Sequence, residues 1–350
     1  MKQDEMQKLG QLIDPSISVG TKEFAQFTAT NVFVATPHIG RDRGVYALPK
    51  NLGFESSSMD DEGTAFLADR VSAGNVCLVP KDAARKLETL EAQLRNAVKS
   101  AAICDSYIPV ASYEALCRRF AEIKSAYLLE RDRLIAEWDI LVQDFESGAK
   151  SLLSAATALT PQERVQTLGA LMNGLPTKEK FKSSFYMSLD ITAFPAAEPP
   201  EGLDASLSAA IASGTENQLY SFALQSIEAL LGKAWSLLTT AANSYIRDER
   251  VHPRTLMSMA TLAVDFGVKN VFGNKVISSL KGTLDRIAKD ENIDRRQASV
   301  EDAILDVWEY CHEVGISLDV NISPWSPKEL DDMLSTRAWV EQNQMKIAGA

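Results

Sequence analysis

The sequence predicts a mainly α protein, a helical bundle with two long helices and a small β-containing N-terminal subregion. Three observations carry this prediction. Apolar residues recur at three- and four-residue spacing over most of the chain after Pro80. Helix-start signatures of hydroxyl, proline and glutamate stand at Thr160-Pro161-Gln162-Glu163 and Ser326-Pro327-Lys328-Glu329. Short β-prone runs punctuated by Gly and Pro are confined to the stretch between Thr28 and Pro80.

Taken in order, residues 1–25 read as a polar arm or short helix. Asn31-Val32-Phe33-Val34-Ala35, Val45-Tyr46-Ala47-Leu48 and Asn75-Val76-Cys77-Leu78-Val79 then read as strands. Three such strands are marginal alone and must pack on helices. Leu87, Leu90, Leu94, Val98 and Ala101 mark one face of a helix over 83–102. After Pro109, Tyr113, Leu116, Phe120, Ile123, Tyr127, Leu134, Trp138, Leu141 and Phe145 predict one long helix from Ala111 to Ser147, about 55 Å at 1.5 Å per residue, stopped by Gly148. Its apolar stripe drifts at Glu130 and Glu137, which suits an antiparallel hairpin with 83–102 better than a long coiled coil.

Thr160 opens a helix closed by Gly174, and 177–188 reads as another short helix. Phe194-Pro195 to Pro199-Pro200 cannot be a helix interior and marks a linker or crossing loop. Thr215 with Gln218 reads as the capped start of the second long helix, which ends near Arg250. Helices over 254–272, 274–290 and 299–314 and a last one after Ser326 complete the set. The expected organisation is therefore 1–80 (arm and β region), 81–192 (hairpin and short helices), 193–204 (linker or loop) and 205–350 (C-terminal helices).

Composition narrows the function. The chain holds 350 residues with 47 Asp+Glu against 36 Lys+Arg, a formal charge of −11. Non-specific nucleic-acid affinity comes from Lys and Arg on phosphates, so this balance disfavours it. The one basic cluster, Arg247, Arg250, His252 and Arg254, is interleaved with Asp248 and Glu249. No stretch approaches the roughly 20 apolar residues of a membrane span, and Met1-Lys2-Gln3-Asp4-Glu5 lacks a signal-peptide core. The expected location is the cytoplasm of a bacterium or of a phage-infected cell.

Chemistry is hard to find. Cys77, Cys104, Cys117 and Cys311 form no Cys-x-x-Cys pair and read as buried or half-buried thiols. Gly267 to Lys275 misses the phosphate-loop spacing, and no Gly-x-Gly-x-x-Gly occurs. His312-Glu313 lacks the second histidine of a zinc-protease helix. Asp60-Asp61-Glu62 and Asp331-Asp332 suit helix starts. No catalytic, metal-binding or cofactor-binding residue is expected, and no cofactor. The candidates are partner-binding ones: His38, Arg41 and Arg43 on a loop, and Trp325 outside a helix. The bland alternatives are a solvated hairpin tip with internal ion pairs, and a staple onto the last helix.

The layout of Asn31-Val32-Phe33-Val34, Gly40-Arg41, Leu78-Val79-Pro80, Tyr107-Ile108-Pro109-Val110 at a hairpin turn, and a long helix with Trp138 and Phe145 resembles a bacterial and phage family of unknown function. Its members are often encoded beside MoxR-type AAA+ ATPases and von Willebrand factor A-type proteins. The resemblance covers about residues 25–300 and implies a partner role in a multi-protein system. The expected function is a non-enzymatic assembly or adaptor protein acting through helical surfaces, with itself as a homo-oligomer or with such an AAA+ or von Willebrand-type partner. The alternatives are a phage or mobile-element protein that handles nucleic acid, and a hydrolase with a spatially assembled site.

Overall fold

The computed structural model describes residues 10–17, 21–49, 52, 59–72, 74–104, 106–194 and 204–348. In chain order the elements are α1 (Thr21–Asn31), β1 (Val32–Gly40), β2 (Val45–Ala47), α2 (Asp61–Arg70), β3 (Val71–Ser72), β4 (Asn75–Cys77), α3 (Lys81–Ala101), β5 (Tyr107–Pro109), α4 (Tyr113–Ala136), α5 (Trp138–Ser154), α6 (Pro161–Gly174), α7 (Lys178–Ser184), β6 (Tyr186–Ala193), α8 (Ala205–Asp248), α9 (Pro253–Lys269), α10 (Lys275–Lys289), α11 (Ile293–Val314) and α12 (Pro327–Ala348). Helices dominate, with a small β content in three-stranded sheets. No helix among the described residues is long and apolar enough to cross a membrane.

The chain divides into two compact units, each assembled from separated segments. The first comprises Met1–Val34, Ala101–Tyr113 and Ile191–Ala350, and the second Ala35–Ser100 and Glu114–Asp190.

In the first unit α8 is the axis. Leu219, Phe222, Ile227, Leu230, Leu231, Ala234, Trp235, Leu238, Ala241 and Tyr245 are buried along it at helical spacing. The helix begins earlier than expected. Asp204 caps it by accepting from Ser206 N at 2.6 Å, and Thr215 instead bonds Ile211 O from the helix interior. The Ala/Ser-rich segment 205–213 is a good enough helix former to carry the start upstream. Most of the proline-rich segment, residues 195–203, lies outside the described residues.

Phe24, Tyr220, Phe222, Phe272, Phe194 and Tyr107 form a continuous aromatic cluster in this unit. Tyr107-Ile108-Pro109, expected at a hairpin turn, is a short strand: β5 pairs antiparallel with the start of β1, Val32 opposite Pro109 and Val34 opposite Tyr107. Asn274 caps α10 and is buried. Its carboxamide accepts from Ile277 N at 3.0 Å and donates to Leu12 O at 2.7 Å, with Tyr310 Oη also at 2.7 Å. Trp235 and Trp308 lie 6.0 Å apart, their indole N–H groups satisfied by Asp319 O and Asp331 Oδ1. Helix α11 starts at Ile293, capped by Asn292, six residues before the expected boundary.

The second unit is built on α3, α4 and α5. Lys86 meets Glu130 at 2.6 Å, and Glu91 lies near Tyr127, so α3 and α4 run antiparallel as expected. The long helix predicted from Ala111 to Ser147 is interrupted at Glu137, where Trp138 turns onto Phe181 at 5.0 Å. Gly148 is not a stop. Helix α5 runs through it to Ser154, and glycine stands there because a Cβ would sit 2.1 Å from Phe66. Phe66 and Tyr46 both meet Phe145, which fastens α2 and the β3–β4–β2 sheet to α5. The helix expected over 177–188 ends at Ser184. Tyr186–Ala193 is instead a strand beside β1, consistent with its β-branched and aromatic residues.

Candidate functional site

A groove of about 1050 Å³ lies in the first unit between α8 and α9. It follows from a short turn. Helix α8 ends at Glu249 in the left-handed conformation (φ 53°), and His252 Nδ1 caps α9 by accepting from Arg254 N at 3.2 Å. Proline at the first helical position then commits the chain to α9. The groove lies along the two helices beyond this turn. Gly232, Lys233, Ser236 and Leu237 line one wall, and Arg254, Met257, Ser258, Leu262 and Asp265 line the other.

The walls are more apolar than their composition suggests. Thr240 donates to Ser236 O at 2.7 Å, Ser258 to Arg254 O at 3.0 Å and Thr261 to Met257 O at 2.9 Å. Each hydroxyl proton is thereby spent on the carbonyl four residues back. These three side chains turn mainly methyl and methylene surface to the groove, beside the exposed Ser236. Met257 is 72% exposed at its edge, a flexible thioether suited to varied partners.

Charge is sparse and one-sided. Asp265 is paired with the buried Lys269 ammonium at 2.8 Å. That leaves Lys233 and Arg254 as the groove's remaining fixed charges. Lys233 exposes much of its side chain, yet its ammonium is held below the usual lysine value. Desolvation by the surrounding walls is the main cause and the Lys269 charge adds to it, while Asp265 and Cys104 oppose it. Such an ammonium gains from a desolvated anionic contact.

A second cavity of about 270 Å³ lies between α10 and α11, lined by Lys275, Asp306, Glu309, Tyr310 and Glu313. Arg337 of α12 takes Asp306 at 2.7 Å and Glu309 at 2.9 Å. These contacts hold the middle of α12 to α11. Neither cavity is lined by a histidine or a cysteine. No metal-capable group of His, Cys, Asp and Glu occurs among the described residues. Cys311 is buried, and burial pushes its thiol up to about 12, far from a reactive thiolate.

The residues singled out from sequence fall in different places. Arg41, one of the partner-binding candidates, turns its side chain inward. Its side chain is 3% exposed, with Nε donating to Glu91 Oε1 at 2.7 Å and Nη2 3.7 Å from Glu88. The buried Glu91 requires a counter-charge, and that draws Arg41 inward. His38 Nε2 lies 3.2 Å from Asp190 on the partly open strand face, and Arg43 is exposed. These three belong to the second unit, whereas Trp325 belongs to the first, where it is half-buried against the core. The basic cluster before α9 is interrupted as its sequence suggests, with Arg247 on Asp248 at 2.7 Å. The groove itself was missed from sequence. Its one sequence signal is the run Gly232, Ser236, Thr240 of small residues on α8, which alone does not distinguish an open trough from close helix packing.

Comparisons with protein-family models, curated proteins and solved structures found no match. The class that fold and groove define is a mainly α protein with an open, weakly cationic trough on a helical hairpin.

Proposed function

We propose that this protein is a non-enzymatic assembly or adaptor protein whose docking surface is the α8–α9 groove. The observation that carries this reading is the groove's chemistry: about 1050 Å³ of mainly apolar trough in which the hydroxyl protons of Thr240, Ser258 and Thr261 are already engaged. Such a surface offers area and two positive charges rather than a nucleophile and a base. A trough between two helices suits an amphipathic helix, the recurrent helix-in-groove mode. The layout resemblance makes an AAA+ ATPase or a von Willebrand factor A-type protein of a bacterial, phage or mobile-element system a partner class, beside self-association.

The test places a photo-crosslinking amino acid at Met257 and irradiates the protein in its native host. Discrete crosslinked species, lost when Leu237 and Leu262 are replaced by serine in a still-folded chain, support the reading. A strictly monomeric particle that crosslinks to nothing sinks it.

A further inference from the structure

We propose that the α8–α9 groove takes an acidic amphipathic helix of a partner protein, with two carboxylates about three turns apart and apolar residues between them. This inference rests on the docking role assigned to the groove and specifies the helix that fills it.

The first observation is where the groove's cations stand. Arg254 is the second residue of α9, beside the turn from α8. Lys233 stands at the other end, where Asp265 and Lys269 act on its ammonium. From Arg254 to Asp265 is about 16 Å of helix by the rise of about 1.5 Å per residue. Lys233 and Arg254 are exposed, and no ion pair holds either among the described residues. The Asp265 carboxylate, between them, is taken by Lys269 at 2.8 Å. The trough therefore carries one available positive charge at each end.

The second observation is the stretch between those charges. Leu237, Met257 and Leu262 give it an apolar lining. Gly232, Ser236 and Thr240 recur every four residues along the α8 wall. A Cβ built on Gly232 would meet nothing within 4 Å. A row of short side chains at this spacing is the kind of furrow that receives the ridge of another helix.

The third observation is that the spacing suits a helix. About eleven residues make just over three turns, so carboxylates that far apart lie on one face. Apolar residues about four and seven positions after the first carboxylate lie on that face between them. Such a helix sets its carboxylates against Lys233 and Arg254 and its apolar residues against Leu237 and Met257. The Lys233 ammonium, already partly desolvated by the walls, gains most from a carboxylate that arrives with its own apolar surroundings. A nucleic-acid strand fits less well, because its closely spaced phosphates would lie largely over apolar wall.

The experiment is a selection of helical peptides from a displayed library, randomised on one face, against the full natural chain. Enriched peptides should carry two Asp or Glu residues about three turns apart with apolar residues between. The winning peptide is then synthesised and its binding measured by fluorescence anisotropy. Lys233→Glu with Arg254→Glu should weaken it by about tenfold or more, and this doubly reversed chain should bind the same peptide with both acids changed to lysine. Gly232→Leu should abolish binding without lowering the thermal midpoint, because leucine is the better helix former and its Cβ meets open space. Val165→Glu, exposed in the other unit, should bind as the natural chain does. Enriched peptides without the acid pair, or binding indifferent to charge reversal, overturn the inference. If those peptides still lose binding on Gly232→Leu, the acidic code falls while the docking role stands. If nothing is enriched, the inference falls, and the docking role falls with it only if position 257 also crosslinks nothing in the native host.

Discussion

Asn274 shows how one side chain can hold a junction. It caps α10, reaches Leu12 O and Tyr310, and lies fully inside the first unit. Replacing it by alanine removes a cap and leaves a buried carbonyl without its donor. The expected cost is about 2–4 kcal/mol, read as a lowered urea midpoint. A loss below about 0.5 kcal/mol would mean that Leu12 O finds water. Glu130 makes a different case. Its side chain is 2% exposed, and its sequence position interrupts the apolar stripe of α4. Burial disfavours its charge, but hydrogen bonds from Arg133 and Lys86 outweigh that and hold the carboxyl below its ordinary value of 4.5. A carboxyl depressed in the fold takes up its proton more readily in the unfolded chain. Its contribution is therefore complete above the ordinary value and disappears as pH falls through the folded one. Glu130→Gln should cost about 1–2 kcal/mol at neutral pH, modest because both cations are part-exposed. The gap to the natural chain should close in urea melts taken well below pH 4.5; a gap independent of pH would show that the charge is immaterial.

At the scale of elements, most helices were legible and most errors lay at their ends. The Thr160 capping box forms as read, with Glu163 reaching back to Thr160 N at 2.8 Å. Ser326 and Glu329 do the same for α12. These motifs are local, so sequence suffices. The interruption at Glu137 and the passage of α5 through Gly148 were not legible. Trp138 packs on a distant aromatic, Phe181, and Gly148 is a glycine inside the helix because Phe66 crowds it, contacts no local pattern encodes. Gly148→Ala tests the second. A good helix former replaces a poor one, which alone would stabilise by up to about 1 kcal/mol. Instead the methyl must displace the Phe66 ring, and a net loss of about 1–3 kcal/mol is expected. Thermal unfolding that shifts upward would show that Phe66 moves aside freely.

At the scale of the whole molecule, the two units are discontinuous in sequence, and that decides what can be cut. The core of the first unit draws Phe24, Val32 and Ile103 from segments far from its C-terminal helices. A fragment holding only residues 205–350 lacks them and exposes the faces of Tyr220, Phe222 and Phe272. It should bind a hydrophobic dye and lose the sharp thermal transition of the full chain. A dye-silent fragment that melts cooperatively would contradict this. The groove belongs to the same scale. Its residues carry no motif one by one, and only the juxtaposition of α8 and α9 turns them into a surface.

The sequence alone determined the mainly α class, the placing of the early strands and the inner faces of α3 and α8. Periodicity and caps are read within a few residues of themselves, and they survive whatever the chain later packs against. Only the tertiary structure decided that Arg41 points inward to Glu91, that 186–193 is a strand and that α8 and α9 leave a trough. Those outcomes balance desolvation, pairing and packing between residues far apart in the chain, and no local pattern encodes that balance.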